Sequence, residues 1–295
     1  MWIGLGIVGF AIVVYFGVGA LAANQLTRPV RRFDPTNHPG MRGLVYEEVT
    51  YPSRAEDVHI AAWYIPTKES KRAVILVPGR DDSRTKGFDE HFVDFAAALQ
   101  RAGLTVLMID LRGHGQSGDG RYTFGLKERE DVIGGVEWLK GRGFRGGQIG
   151  VLGYSLGSAA CIGAAADDPE IGAIVSESGY AEIRSLVESR WVQESHLPQI
   201  FLDATRLMGK AMFGYDILSS RPVDEIARIA PRPILLIHST TDEYISFSHH
   251  FPQLQAAAPW AQVWVVEGAK HGMIYNFNPD LYVQEVVDFF CKNLA

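Results

Sequence analysis

Cysteine is scarce: Cys161 and Cys291 are the only two, and neither stands in a C-x-x-C pair or a Cys/His cluster. That argues against a zinc site or a redox pair, and leaves the compartment unread. Positive charge is also in short supply, with 28 Lys and Arg against 34 Asp and Glu and a formal net charge of −6. No global field is present to gather phosphate backbones, so nucleic acid is not an expected partner. Disorder is equally unexpected, because 47% of the 295 residues are hydrophobic and 21% charged. Such a chain suffices for one large α/β domain or two small ones.

The N-terminus lacks charge altogether from Met1 to Ala23, and the first basic residue is Arg28. At about 1.5 Å per residue a helix over this stretch reaches roughly 34 Å, against a hydrocarbon core of about 30 Å. Residues 1–26 are therefore expected to be a transmembrane anchor. The competing readings are a cleaved signal peptide, for which Ala20-Leu21-Ala22 resembles a small-residue cleavage site, and a buried core helix. The missing basic n-region and an apolar run longer than the usual h-region of about 7–15 residues favour retention. Arg28, Arg31, Arg32 and Arg42 follow the segment and no Lys or Arg precedes it, which places the following domain on the cytoplasmic face by the positive-inside rule. Residues 27–42 mix Pro, Arg, Asn and Gly without an apolar period and read as a linker, with the globular domain at 43–295.

Within that domain, Leu44–Tyr51 and His59–Pro66 are rich in β-branched and aromatic residues and predict two antiparallel strands at a sheet edge. From Ala73 onward the pattern changes to short apolar runs separated by helical ones: Ala73–Val77, Leu104–Ile109, Ile149–Leu152, Ile171–Val175, Ile234–Ile237 and Val263–Val266. Runs of this kind suit strands covered on both faces and joined by crossovers, hence a mostly parallel sheet flanked by helices. Phe88–Ala102 and Glu128–Lys140 carry apolar stripes at helical spacing. Two more helical patterns, Ile183–Trp191 and Leu202–Phe213, fill the long interval before Ile234 and are broken at Leu197-Pro198. They predict a helical cap over about 181–222, with ordinary packing helices as the plainer alternative.

The residues that carry chemistry begin with Gly153-Tyr154-Ser155-Leu156-Gly157, a G-x-S-x-G directly after the strand Ile149–Leu152 and before the small-residue helix Ser158–Ala166. A strand-to-helix turn this sharp crowds the backbone, so Gly153 and Gly157 flank a serine pushed out above the sheet. With this motif the sequence resembles the α/β-hydrolase superfamily, and within it serine aminopeptidase-like and esterase-like members with an N-terminal hydrophobic segment. Asp110-Leu111-Arg112-Gly113-His114-Gly115-Gln116-Ser117 is similar to the family's D-x-R-G-x-G-x-S turn, and Val74-Ile75-Leu76-Val77-Pro78-Gly79 to its oxyanion strand and loop. The resemblance implies an α/β-hydrolase fold from about Gly43 to Ala295, with the nucleophile, acid and histidine in that chain order.

On that order Ser155 is the expected nucleophile, Asp242, after the run Ile234–Ile237, the acid, and His271, after Val263–Val266, the base. Glu243 is the nearest substitute for the acid. His249 and His250 read as helix residues, His114 as a turn residue and His238 as loop support. The backbone N–H groups of Leu156 and Arg80 are the expected oxyanion donors. Here the chain departs from the family, having Pro78-Gly79 where His-Gly is usual, so the histidine's stiffening bonds are lost. The Arg80 side chain either pairs with Asp81 or Asp82 or meets an anionic substrate.

The activity so implied is hydrolysis of a carboxylic ester, on a small-molecule or lipid-like acyl substrate, through an acyl-enzyme and with no cofactor. A serine in place of aspartate disfavours haloalkane dehalogenase and epoxide hydrolase chemistry. Peptidase and acyltransferase activity on the same residues, and a non-catalytic membrane-tethered binding protein, are the alternatives. The cap supplies Trp191, Phe201, Leu207 and Met212, an apolar set suited to an acyl chain or to a core.

Overall fold

The computed structural model describes residues 2–295. Its centre is one eight-stranded sheet in the order β1-β2-β4-β3-β5-β6-β7-β8. The strands are β1 (Glu47–Pro52), β2 (His59–Ile65), β3 (Ala73–Val77), β4 (Thr105–Ile109), β5 (Ile149–Tyr154), β6 (Ile171–Glu177), β7 (Ile234–Ser239) and β8 (Gln262–Val266). β1 pairs antiparallel with β2, and β2 with β4; every later pairing is parallel. This is the α/β-hydrolase arrangement expected from the sequence.

Alternation along each strand divides the core between the two faces of the sheet. In β3, Ala73, Ile75 and Val77 join Val132, Val136 and Ile162 on one side, while Val74 and Leu76 join Phe95, Leu99 and Phe290 on the other. The helices supplying those layers are α3 (Glu128–Gly141) and α4 (Leu156–Asp167) on the first face, and α2 (Phe92–Arg101) and α10 (Pro279–Asn293) on the second. α4 is buried on all sides from Leu156 to Ala165, which its small residues permit. β8 departs from the expectation of a strand covered on both faces: it closes the sheet, and Val263 and Val265 are exposed at that edge.

Between β6 and β7 the chain forms α5 (Ile183–Ser195), α6 (Phe201–Phe213) and the short α7 (Pro222–Ile226). The α5–α6 turn is closed by Trp191, whose indole N–H donates to the Pro198 carbonyl at 3.1 Å. Beyond β7 lie α8 (Phe247–Ala257) and α9 (Ile274–Phe277).

The N-terminal helix α1 (Trp2–Leu26) contains one stretch, Leu5–Leu26, long and apolar enough to cross a membrane, a description that a signal sequence also meets. Its residues from Leu5 to Val14 are exposed, but its later turns lie on α6. Tyr15 donates to the Ile200 carbonyl at 2.9 Å and packs on Phe201. At Gly19 the helices approach so closely that a Cβ would sit 2.7 Å from that of Ala204. The stretch expected as a linker, residues 27–42, is bound to the domain along its length. Val30 N–H donates to Asp81 at 2.7 Å, the Arg31 guanidinium to the Ser117 carbonyl at 2.6 Å, and Asn37 to the Thr85 carbonyl at 2.7 Å, while Arg42 pairs with Asp94 at 2.8 Å.

Candidate active site

Ser155 sits in the turn between β5 and α4 with φ 55° and ψ −119°, a conformation that L-residues seldom adopt. The turn is held by its own backbone: Ser155 N–H donates to the Glu177 carbonyl at 2.9 Å. Both flanking glycines are required by space. A Cβ at Gly153 would lie 2.2 Å from the Gly157 carbonyl oxygen, and one at Gly157 2.4 Å from that of Val77.

The loops after β7 and β8 bring Asp242 and His271 to this serine. His271 Nε2 lies 3.0 Å from Ser155 Oγ, and Nδ1 lies 2.8 Å from Asp242 Oδ2. A carboxylate only accepts, so Nδ1 carries the hydrogen and Nε2 is left to accept the serine proton. The other carboxylate oxygen, Oδ1, accepts from the N–H groups of Tyr244 at 2.9 Å and Ile245 at 2.8 Å. Burial alone would raise the pKa of Asp242. The bonds from His238 and His271 and from the Ile245 N–H outweigh it and hold the carboxyl well below the usual carboxylate range.

His238 donates through Nε2 to the Ile245 carbonyl at 2.9 Å and so supports the acid loop. Glu243, the expected substitute, faces the histidine's backbone instead: its carboxylate accepts from His271 N–H at 3.2 Å. His250 lies on α8, where burial keeps its ring neutral by pushing its pKa down to about 4, and its Nδ1 accepts from Ala181 N–H at 3.3 Å.

The loop after β3 carries Arg80 beside the serine, and Arg80, Ser155 and Leu156 border one cavity. Leu156 opens α4, where an N–H has no partner in the preceding turn. The stiffening expected to vanish with the family's histidine is supplied by other residues. Asp81 N–H donates to Tyr122 Oη at 2.9 Å and to His114 Nε2 at 3.3 Å, while the Tyr122 hydroxyl donates back to the Asp81 carboxylate. His114 Nδ1 faces the Arg112 carbonyl at 2.8 Å and must carry the hydrogen, which frees Nε2 to accept. Sequence reasoning missed Tyr122; its only signal is an aromatic among polar and glycine residues. The Arg80 guanidinium lies 3.5 Å from Asp81 and 3.9 Å from Glu194, over the Tyr122 ring, so its charge is already compensated.

The D-L-R-G-H-G-Q-S segment is mainly scaffold. The buried Asp110 carboxylate pairs with Arg84 and accepts from Gln116 N–H at 2.9 Å, and Arg112 pairs with Asp131 at 2.7 Å.

The cavity over Ser155 has a volume of about 670 Å³, within the range of roughly 300–1,000 Å³ usual for small-molecule sites. Ile183, Leu186 and Trp191 of α5, Phe124 and Tyr180, and Val18, Leu21, Ala22 and Leu26 of α1 border it. The part played by α1 was not foreseen from the sequence.

The sequence profile of the Alpha/beta hydrolase family matches residues 74–285. The uncharacterized protein YqkD of Bacillus subtilis is 28% identical over 190 residues, which are 63% of this chain and 62% of that protein, so the likeness leaves more than a third of the relative unmatched. Among solved structures, the Pyrococcus furiosus esterase Pf2001 superposes with a TM-score of 0.71 at 23% identity, over 91% of this chain and 100% of that one. A Mycobacterium tuberculosis puromycin-hydrolyzing peptidase gives a TM-score of 0.67 at 16% identity, over 85% of this chain and 40% of that one. At these identities the two structures speak for a shared fold.

Proposed function

This chain belongs to the alpha/beta hydrolase family, and from that premise we propose that it is a serine hydrolase that cleaves carboxylic esters through an acyl-enzyme on Ser155. The observation that carries the reading is the hydrogen-bonded series from Ser155 Oγ through His271 to Asp242, at 3.0 and 2.8 Å. As Ser155 Oγ attacks the ester carbonyl carbon, its proton passes to His271 Nε2 and the carbonyl π pair moves onto oxygen. The N–H groups of Leu156 and Arg80 receive that oxyanion. Collapse of the tetrahedral intermediate expels the alcohol, which takes the proton from His271. Water then gives a proton to the same nitrogen, attacks the acyl-enzyme, and releases the acid and a free Ser155. Asp242 remains ionised throughout and supports the imidazolium that forms in each half.

The apolar cavity over Ser155 favours an ester with a lipid-like acyl group. In this reading residues 1–26 are a retained membrane attachment, 43–295 the hydrolase domain with α5 and α6 as its cap, and the arginines after α1 put that domain on the cytoplasmic face.

Labelling of the full-length protein in detergent with a fluorophosphonate, followed by intact mass and peptide mapping, tests the proposal. A single adduct at Ser155 that is lost in Ser155→Ala is expected. A folded sample that takes no label would overturn the reading in favour of a non-catalytic scaffold.

A further inference from the structure

We infer that α1 is part of the acyl site: its last turns form one wall of the cavity over Ser155, and the acyl chain of a bilayer-resident ester lies against them. The inference rests on the serine hydrolase reading and adds to it a substrate source and specificity-determining residues. Its first support is placement. Val18, Leu21, Ala22 and Leu26 border the same cavity as Ser155, facing Ile183 and Leu186 of α5. α1 is fixed there by the Gly19–Ala204 approach and by the Tyr15 bond to Ile200, so this wall is packed against the cap.

The second support is length. The stretch of α1 that stands exposed, from Leu5 to Val14, reaches only about 15 Å at ~1.5 Å per residue. That is short of the roughly 30 Å of a hydrocarbon core. For the whole apolar length of α1 to leave water, the rim of the cap must sit at the bilayer surface. The rim suits such a place, since Ile200 is 67% exposed and Leu207 55%, on or beside α6, which packs on α1, and Val192 on α5 is 57% exposed. Single exposed apolar residues are ordinary, but several flanking the exposed face of an apolar helix mark a membrane contact. The cavity then opens where α1 enters the lipid. An ester already in the bilayer reaches Ser155 by sliding its acyl chain along α1, without passing through water.

The test uses the full chain in lipid nanodiscs. An alkyl fluorophosphonate with a diazirine at the far end of a long chain is first allowed to react at Ser155 and then photolysed. Crosslinks to the peptide spanning residues 15–26 are expected. In parallel, Ala22→Trp should lower the ratio of kcat/KM for dodecanoate over butyrate p-nitrophenyl esters at least tenfold, while Ile7→Ala, outside the cavity, leaves the ratio as it was. Dodecanoyl ester turnover should follow the ester's mole fraction in the bilayer and not its bulk concentration. Labelling at Ser155 with crosslinks confined to other segments, an unchanged ratio in an Ala22→Trp sample that still takes the label, or turnover that follows bulk concentration, overturns the inference and leaves the hydrolase reading standing. Absence of labelling at Ser155 removes the hydrolase reading itself.

Discussion

The floor of the cavity and its roof are held by different forces. On the floor, nearly every polar group near the reacting atoms has a partner: Asp242 receives two backbone N–H groups and His271, Ser155 N–H is tied to Glu177, and Asp81 is tied to Tyr122 and His114. The roof of α1, α5 and α6 rests mainly on apolar packing. Two of its ion pairs, Arg184 with Glu188 and Arg190 with Glu194, lie within single helices, while Glu194 also lies 3.9 Å from Arg80 and Arg206 pairs with Asp216 just past α6. Hydrogen bonds are directional and fix atoms to fractions of an ångström, whereas apolar contact is indifferent to small sliding. On the proposed function the contrast assigns reaction geometry to the floor and substrate choice to the roof, and it can be broken by substitutions on either side.

The largest effect belongs to the proposed reacting groups: Ser155→Ala and His271→Ala should each lower kcat by at least about 10⁴-fold for every ester tried, measured by initial rates on short and long esters. A loss confined to one chain length would break the division between floor and roof. Next comes Gly157→Ala, whose Cβ would meet the Val77 carbonyl oxygen at 2.4 Å. Overpacking of this kind costs about 1–3 kcal/mol, so a lower Tm together with loss of fluorophosphonate labelling is expected.

Tyr122→Phe removes the hydroxyl that both accepts from and donates to Asp81, and so loosens the loop that presents the Arg80 N–H. It should cost kcat on the order of tenfold, less than outright loss of an oxyanion donor, with KM nearly unchanged for short and long esters alike. A KM effect restricted to long chains would move Tyr122 from the floor to the roof.

The smallest effect is on stability. Burial, with Oε1 left unpartnered, pushes the Glu177 carboxyl up to about 7 even though Tyr282 donates to its other oxygen. A carboxyl whose folded pKa is raised contributes stability that is fully present below its unfolded value of about 4.3 and lost as pH rises through the folded one. The Tm of the wild type should therefore fall between about pH 4.5 and pH 7 by more than that of Glu177→Gln. Parallel Tm profiles would show that Glu177 does not titrate in this window.

Much of the fold was legible because strand runs, crossover helices and the elbow glycines are local signals, each enforced by sterics within a few residues. The three side chains that meet at the floor were singled out by chain order, since their loops all lie at strand ends on one side of the sheet. What escaped depends on contacts between distant segments. Tyr122 and Asp81 meet only after the sheet has formed, and nothing around Tyr122 in the chain marks it as a loop support. α1 is apolar all round, so no periodicity distinguishes the side that meets Ala204 from the side that meets lipid. Residues 27–42 have a linker's composition because they form almost no regular structure, yet their polar groups are spent on the domain.

That bound segment bears on what a processing protease would do here. A cut after Ala22 would carry off Val18, Leu21 and Ala22 and so open the cavity along one side, yet Val30, Arg31 and Asn37 would still hold the severed end on the domain. The trimmed molecule would keep Ser155, His271 and Asp242 in register while the proposed acyl site stood open to water, so that on the proposed function such trimming would exchange one substrate range for another without touching the groups that cleave the bond.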